Sequence, residues 1–299
     1  MQAAVRADLK NLATLSDLSV YYPTEKDIVH LLMNESLLKK EFKCEKCGKD
    51  MTLRSRGNTY EWRCRVSKGK DCSSKSVKTG SFFANTKLTL TQAVKIMTMW
   101  NMEFSAKKIS AESGASENTV CDWRNFLREA CGRVASSYSM IGGPNHVVEI
   151  DETNVHSRKY GIGKGSDNED WILGGLDRTT GKVFACRVPN RTASTLVPLL
   201  QSNVDKQSIY SDEWRSYSRL KNYFAAHYTV KHKTQFVNII QNRRICTNGI
   251  ESFWSRLKKP FKAGNGTSTA LLDSYVTEYV VRENEKGDFF GRIIDAMKL

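Results

Sequence analysis

Three carboxylates in this chain stand where they could serve phosphoryl chemistry. Asp151 closes the β-rich run Val147–Asp151, Asp212 closes the short run Ser208–Asp212, and Glu251 lies near the start of a helical stretch, Asn248–Pro260. Mg²⁺ and Mn²⁺ take oxygen ligands from a few carboxylates, with water and substrate phosphate completing the shell. Two such ions about 4 Å apart activate a nucleophile and stabilise the leaving oxygen of an in-line displacement. Three acids from three elements, meeting at one edge of a sheet, are the minimum protein contribution to such a pair. Lys258 follows Glu251 by seven residues, and at 3.6 residues per turn the two share a helix face. That face offers an acid to a hard cation and a base to a phosphate, with Arg256 and Lys259 adding positive charge beside them. Each acid taken singly reads equally well as a turn former or a solvated charge, with Glu149, Glu152 and Glu213 as similar neighbours. Their joint placement carries the inference.

A second set of chemistry-bearing residues lies upstream. Cys44, Cys47, Cys64 and Cys72 cluster, while Cys121, Cys131, Cys186 and Cys246 are scattered singly. In a reducing compartment a cluster reads as metal ligands and the singles as small core residues. Cys44 and Cys47 form a CxxC knuckle, with Gly48 allowing the tight turn behind it. Cys64 follows at the distance of a ribbon hairpin, but seven residues separate it from Cys72 where a second knuckle has two. An insertion within Val66–Asp71 accounts for the difference. Four thiolates leave no open position, so the expected ion is a structural Zn²⁺.

The elements that must position these residues follow from patterning. Residues Thr24–Lys40 read as a helix with Ile28, Leu31, Leu32, Leu37 and Leu38 as its stripe, fit for packing or a dimer contact. Leu90–Met102 is an apolar helix. Ser105–Ser113 and Ser116–Arg128 are two further helices with serine N-caps, broken at Gly114. That spacing suits a helix-turn-helix, in which Glu117, Asn118, Thr119 and Trp123 or Arg124 face DNA; a plain helical hairpin gives the same pattern. Ser136–Asn145 is a linker. Strands are expected at His146–Val155, at Trp171–Val188 (two, around the turn Asp177–Lys182), at Ser208–Asp212 and at His227–His232. Helices are expected at Arg191–Val204, Glu213–Ala225, Thr247–Lys259 (ended by Pro260) and Thr269–Glu283, with a loop at Ser157–Glu169. The order β-β-β-α-β-α-β-α is that of a ribonuclease-H-like fold, an α/β (α+β) architecture. Phe253, Trp254 and Leu257 are expected in the core, and Trp214 or Tyr217 beside Asp212 are candidates to stack an unpaired base.

Composition sets the partner class. The 299 residues hold 46 Lys plus Arg against 32 Asp plus Glu, a net charge of +14 spread along the chain. Such a charge favours polyanions, nucleic acid first and acidic membrane surface second. No apolar run approaches the ~18 residues that span a bilayer, and the N-terminus lacks the apolar core of a secretory signal. A soluble, intracellular protein is expected, with no membrane partner.

The chain from Cys44 to Leu299 resembles the Merlin-type DDE transposases and the related bacterial insertion-sequence transposases with an N-terminal zinc ribbon. The resemblance is carried by Cys44-x-x-Cys47, Trp62-Arg-Cys64, Cys72, Lys78-Thr-Gly-Ser-Phe-Phe83, Val148-Glu-Ile-Asp151, Ser211-Asp212 and Thr247-Asn-Gly-Ile-Glu251 through Lys258. Patterning gives residues 1–40 as a helical extension, and the resemblance implies 41–85 as a zinc ribbon, 88–135 as a helix-turn-helix and 145–299 as a ribonuclease-H-like catalytic domain. It implies Asp151, Asp212 and Glu251 as the triad for two Mg²⁺ or Mn²⁺ ions, Lys258 as the base holding DNA near the cut, and His232 as a residue close to the site. The expected activity is cut-and-paste transposition, with double-stranded DNA as partner (terminal inverted repeats and target) and at least a homodimer in the reacting complex. The expected compartment is the nucleus in a eukaryote or the nucleoid in a bacterium. The alternatives are a nuclease of the same fold that hydrolyses without joining, and a domesticated DNA-binding protein. The long Cys64–Cys72 spacing and the first forty residues depart from the family pattern.

Overall fold

The computed structural model describes residues 8–12, 14–67, 70–155, 170–230, 238–240, 243–263 and 268–299. The expected loop Ser157–Glu169 and His232 lie outside the described residues. The chain forms two compact units, Met1–Cys131 with Gly287–Leu299, and Gly132–Lys286. Residues Gly287–Leu299, expected at the end of the domain 145–299, group with the first unit.

The first unit opens with α1 (Leu15–Tyr21) and α2 (Glu25–Asn34), each started by a capping box, from Thr14 and from Thr24. The helix expected to reach Lys40 stops at Asn34 because Ser36 turns left-handed (φ 61°) and the N–H groups of Leu37 and Leu38 both turn back to the Leu32 carbonyl. Both leucines are thereby buried. A three-stranded antiparallel sheet follows, β1 (Thr52–Arg56), β2 (Thr59–Ser67) and β3 (Lys70–Ser76). Next come α3 (Leu90–Asn101), α4 (Ala106–Ser113) and α5 (Glu117–Ala135), which runs past the unit boundary.

In the second unit β4 (Val147–Asn154), β5 (Trp171–Asp177) and β6 (Val183–Val188) form an antiparallel meander. After α6 (Ala193–Asn203), strand β7 (Ser208–Asp212) pairs parallel beside β4, and β8 (Ala226–Val230) pairs parallel beside β7. The sheet order is β6-β5-β4-β7-β8. A short ladder of β9 (Asn238–Ile240) and β10 (Arg243–Ile245) precedes α7 (Asn248–Ala263) and α8 (Thr269–Asn284). Helix α9 (Phe289–Ala296) closes the chain and buries Phe289, Phe290, Ile293 and Ile294, with the Phe289 ring 5.4 Å from that of Trp100. This meander, parallel crossover and flanking helices constitute the ribonuclease-H-like fold.

Two cores sandwich the sheet. Val148, Ile150, Leu173, Leu196, Leu200 and Tyr217 pack on one face, and Ile172, Ile250, Phe253, Trp254, Leu257 and Leu272 on the other. Period-two alternation sends the even residues of β4 to the α6 face and the odd ones to the α7 face.

Two further helix expectations fail for local reasons. The segment Glu213–Ala225 holds two 3₁₀ turns, Arg215–Tyr217 and Leu220–Asn222, in place of an α-helix. Its apolar residues Trp214, Tyr217 and Leu220 recur every three positions, the 3₁₀ period. Pro260 does not end α7, which continues to Ala263. Proline removes one hydrogen bond to the carbonyl four residues back, while Phe261 anchors the last turn by burying its ring 5.8 Å from that of Tyr275.

The β5–β6 turn rests on buried Asp177, which accepts from Thr179 N–H (2.9 Å) and Thr180 Oγ1 (2.8 Å) and contacts His146 Nδ1 (2.8 Å). Burial acts to raise its pKa, but the partners Thr180, His146 and Thr179 outweigh it and hold the carboxyl below its ordinary value. A depressed folded pKa gives stability that is present above the unfolded value, ~3.9, and is lost as pH falls through the folded one. Asp177→Asn should therefore cost about 1–3 kcal/mol near pH 6. Urea unfolding across pH should show the gap from the parent closing below pH ~4.

Candidate functional site

Register brings two of the acids level. Strand β4 pairs with β7 at Val147↔Ser208, Val148↔Ile209 and Glu149↔Tyr210. Carried two residues further, the same offset sets Asp151 opposite Asp212, on strands about 5 Å apart. Asp151 is thus mid-strand, not at a strand end as expected, and the ladder with β7 stops just before it. Its carboxyl is pushed up to about 7, first by burial and then by the negative charges of Glu152 and Asp212. Asp212 Oδ1 accepts from the Trp214 N–H at 2.9 Å.

Helix α7 carries the third acid in its first turn, and its start is held by residues that patterning alone assigns to the surface or the plain core. Trp254 is buried and donates its indole N–H to Asp151 Oδ2 at 3.1 Å. The ring fits because Gly174, the β5 partner of Asp151, has no side chain. A Cβ there would intrude on Trp254 Cη2 and lie 2.9 Å from the Phe184 carbonyl oxygen. Glu149, read earlier as a solvated neighbour, is buried and accepts from the Ile250 N–H at 2.8 Å. It also pairs with Arg178, whose guanidinium donates to the Cys246 carbonyl and lies over the Tyr210 ring at 4.8 Å. A carboxylate at a helix N-terminus meets unpaired N–H groups and the positive end of the dipole. Glu149 therefore fixes the first turn of α7, where Glu251 sits exposed with Thr247 Oγ1 3.4 Å from its Oε1. The detectable signal was alternation, since Glu149 shares its strand face with Asp151.

Among the described residues, the group of three or more metal-ligating side chains with ligand atoms all within 4.8 Å of one another is Cys44, Cys47, Cys64 and Cys72. Asp151, Asp212 and Glu251 do not meet that closely. An ion pair does not demand it: with oxygen bonds near 2.1 Å and ions about 4 Å apart, ligands of opposite ions sit up to ~8 Å from each other. The donor set fits divalent cations, because Asp151 is a carboxylate lifted first by burial and then by the charges of Glu152 and Asp212, both of which a cation would offset.

The cysteine cluster is assembled by a knuckle and a hairpin. Gly48 N–H closes the knuckle on the Cys44 carbonyl (2.8 Å) with φ 71°. Cys64 on β2 pairs with Ser73, next to Cys72 on β3, so the extra residues between them extend the β2–β3 hairpin through a register shift after Cys64. Ser73 Oγ lies 3.0 Å from Cys44 Sγ and pulls that thiol down to about 6.

The residues expected on DNA divide. Asn118 is exposed, and Lys259 is exposed near the end of α7. Thr119 is half-buried and engaged in the Ser116 cap, its N–H donating to Ser116 Oγ at 3.2 Å. Arg124 is half-buried, with its Nε inside the unit. Trp123 does not face solvent at all: it is buried against Phe82 and Phe83, with ring centroids at 5.9 and 6.1 Å. Arg256, expected on DNA, forks onto Glu283 of α8 at 3.1 and 3.0 Å and ties the two helices together. Lys258 is half-buried, on the same side of α7 as Glu251. Tyr217 cannot stack a base, being 1% exposed under Glu152.

Gly174→Ala should destabilise by about 1–3 kcal/mol through overpacking. In a Trp254→Phe background the same change should cost less, because the ring atoms it strikes are gone. Urea midpoints of the four proteins check this, and strict additivity would separate the two residues.

Residues 141–284 match the ISXO2-like transposase domain. A transposase-like protein of Haemophilus influenzae is 33% identical over 104 residues, covering 34% of this chain and 81% of that protein. Male abnormal protein mab-31 of Caenorhabditis elegans is 30% identical over 122 residues, 36% of this chain and 29% of that protein. Among solved structures, the catalytic core domain of BIV integrase is similar at 17% identity and a TM-score of 0.33, over 48% of this chain and 86% of that one. The simian T-cell lymphotropic virus intasome in complex with the PP2A regulatory subunit B56 gamma is similar at 15% identity and a TM-score of 0.33, over 63% and 67%. At that level the strand order of the sheet, and not these likenesses, identifies the fold. By its matched domain and its coverage of the H. influenzae protein, the chain belongs to the insertion-sequence transposases of the ISXO2-like family.

Proposed function

We propose that the protein is a Merlin-type, cut-and-paste DNA transposase acting through Asp151, Asp212 and Glu251. The single observation that carries this reading is the β4–β7 register, which sets Asp151 level with Asp212 beside a helix anchored by Glu149 and Trp254. Two Mg²⁺ or Mn²⁺ ions held by the three acids would supply an activated oxygen nucleophile and charge for the leaving oxygen. Trp254 keeps one Asp151 oxygen oriented, and the Trp214 N–H does the same for Asp212. Lys258 and Lys259 hold DNA phosphate as point charges. A phosphodiester at the element's end is cut with water as nucleophile, and the freed 3′-hydroxyl is joined to target DNA. The protein's share is positioning and charge stabilisation.

In this reading the four cysteines hold a structural Zn²⁺, and the ribbon and the α4–α5 pair bind the terminal inverted repeats, with Asn118, Thr119 and Arg124 toward DNA. The exposed face of α5 carries Glu117, Asp122 and Glu129, so phosphate attraction comes from elsewhere on this +14 chain. Joining two ends calls for a dimer or higher assembly, working in a nucleus or a bacterial nucleoid.

Asp212→Asn should abolish strand transfer of pre-cut ends into a plasmid with Mg²⁺ while leaving end binding within about twofold of the parent. Joining by that variant would remove Asp212 from the chemistry. For the cysteines, the parent should carry one zinc per chain by elemental analysis, and Cys47→Ser should lose it together with the fold of the first unit. Full metal retention in Cys47→Ser would rule out the four-thiolate site.

A further inference from the structure

Beside Asp212, on the α6 face of the sheet, a cation is clamped between two indoles. The Arg191 guanidinium carbon lies 4.2 Å from the Trp171 ring centroid and 4.1 Å from that of Trp214. The backbone of Arg191 also holds the Trp214 segment, its carbonyl accepting from Trp214 Nε1 (3.2 Å) and Ser216 Oγ (2.6 Å). Behind the clamp stands Glu152, 7% exposed, with one carboxylate oxygen 3.5 Å from the guanidinium and neither oxygen in a hydrogen bond of good geometry. Burial raises its pKa against the opposing pull of the Tyr217 hydroxyl and the Arg191 guanidinium, its two partners. Glu152 is placed to hold Arg191 by charge. Trp214 is 38% exposed although one ring face is covered by Arg191 and its N–H is used. A large ring fixed at two points and still open to solvent is a platform without a cover.

We propose that Trp214, braced by Arg191 and Glu152, stacks an unpaired nucleobase of the DNA that lies at Asp212. The occupant follows from the chemistry. The platform is flat and aromatic, and the cation beneath draws electron density from its open face, which favours an electron-rich base on top. It stands two residues from an acid assigned to phosphodiester chemistry at a DNA end, where an unpaired terminal base is within reach. Base–aromatic stacking is sequence-tolerant, because every base has a π-face. Trp171 and Arg191 act as positioning residues behind the platform. The proposal rests on the reading of Asp212 as part of a DNA-processing site, but its test needs no cutting.

The probe is a 20-base-pair duplex carrying one unpaired 2-aminopurine nucleotide at a 3′ end, against the same duplex flush-ended and the same duplex with an abasic overhang. The full-length zinc-loaded protein is titrated without added Mg²⁺ or Mn²⁺, so that binding is read and cleavage is not. Stacking of one base is worth about 5- to 150-fold in affinity. The parent should quench the 2-aminopurine and prefer its overhang over the abasic and flush probes by a factor in that range. Trp214→Phe should keep most of the preference, Arg191→Ala should lose part, and Trp214→Ala should lose both quenching and preference while binding flush duplex like the parent. Equal binding of the base-bearing and abasic overhangs by the parent overturns the proposal without any variant, as does an undiminished preference in Trp214→Ala. If Asp212→Asn proves fully active while the stacking results hold, the catalytic assignment fails and the platform stands.

Discussion

Everything in the second unit is referred to the pairing of β4 with β7. A parallel ladder has no hairpin to set its register, so the register must come from the cores on either face. On the α6 side Val148, Ile150 and Ile209 share one core with Leu196 and Leu200. On the α7 side Trp254 and Ile250 pack against Ile172. A slip of one residue would turn Glu149 and Asp151 toward the α6 core, away from the Ile250 N–H and the Trp254 indole, and would take Val148 and Ile150 out of the core they share with Leu196 and Leu200. That penalty makes the level placement of Asp151 and Asp212 a consequence of hydrophobic packing and not of any attraction between the acids, which repel.

Repulsion is then managed by neighbours. Asp151 is given a hydrogen bond by Trp254, Asp212 one by a backbone N–H, and Glu152 the guanidinium of Arg191. None of these cancels the charge, and Asp151 remains lifted toward neutrality. A site left short of positive charge in this way is suited to cations that arrive with a substrate, since full internal ion pairing would compete with them.

Much of this was legible in the chain. The strand order followed from alternation and turn residues, and the four cysteines from their grouping. What the sequence hid was three-dimensional reuse of residues. Trp254 fits the helix stripe as core, and only Gly174 on another strand lets it reach Asp151. Arg256 looks like one more basic residue near DNA until Glu283 is seen across from it. Trp123 sits at the front of a recognition-type helix, but the Phe82–Phe83 pair buries it. The segment after Asp212 was misread because a three-residue apolar spacing was forced into a 3.6-residue helix. Helix α9 went unread because its partners, Trp100 among them, lie nearly two hundred residues earlier.

The first forty residues, which fitted either packing or a dimer contact, show the same logic as the start of α7. Leu18, Ile28, Leu32, Leu37 and Leu38 are buried within the first unit, so the apolar stripe is already used. Glu25 sends its carboxylate to the start of α3, accepting from Leu90 N–H at 2.7 Å, Thr91 N–H at 3.0 Å and Thr91 Oγ1 at 2.6 Å. Glu149 does this for α7. Helix α3 already carries its own capping box from Thr89 and Gln92, so the second carboxylate is not needed to form the helix. A local cap decides that a helix begins, whereas a carboxylate from a distant element ties that beginning to one place. Sequence reasoning reads caps well and remote carboxylates poorly. Existence of helices was therefore easier to foresee than their placement, and the placement of α7 is what decides where Glu251 stands.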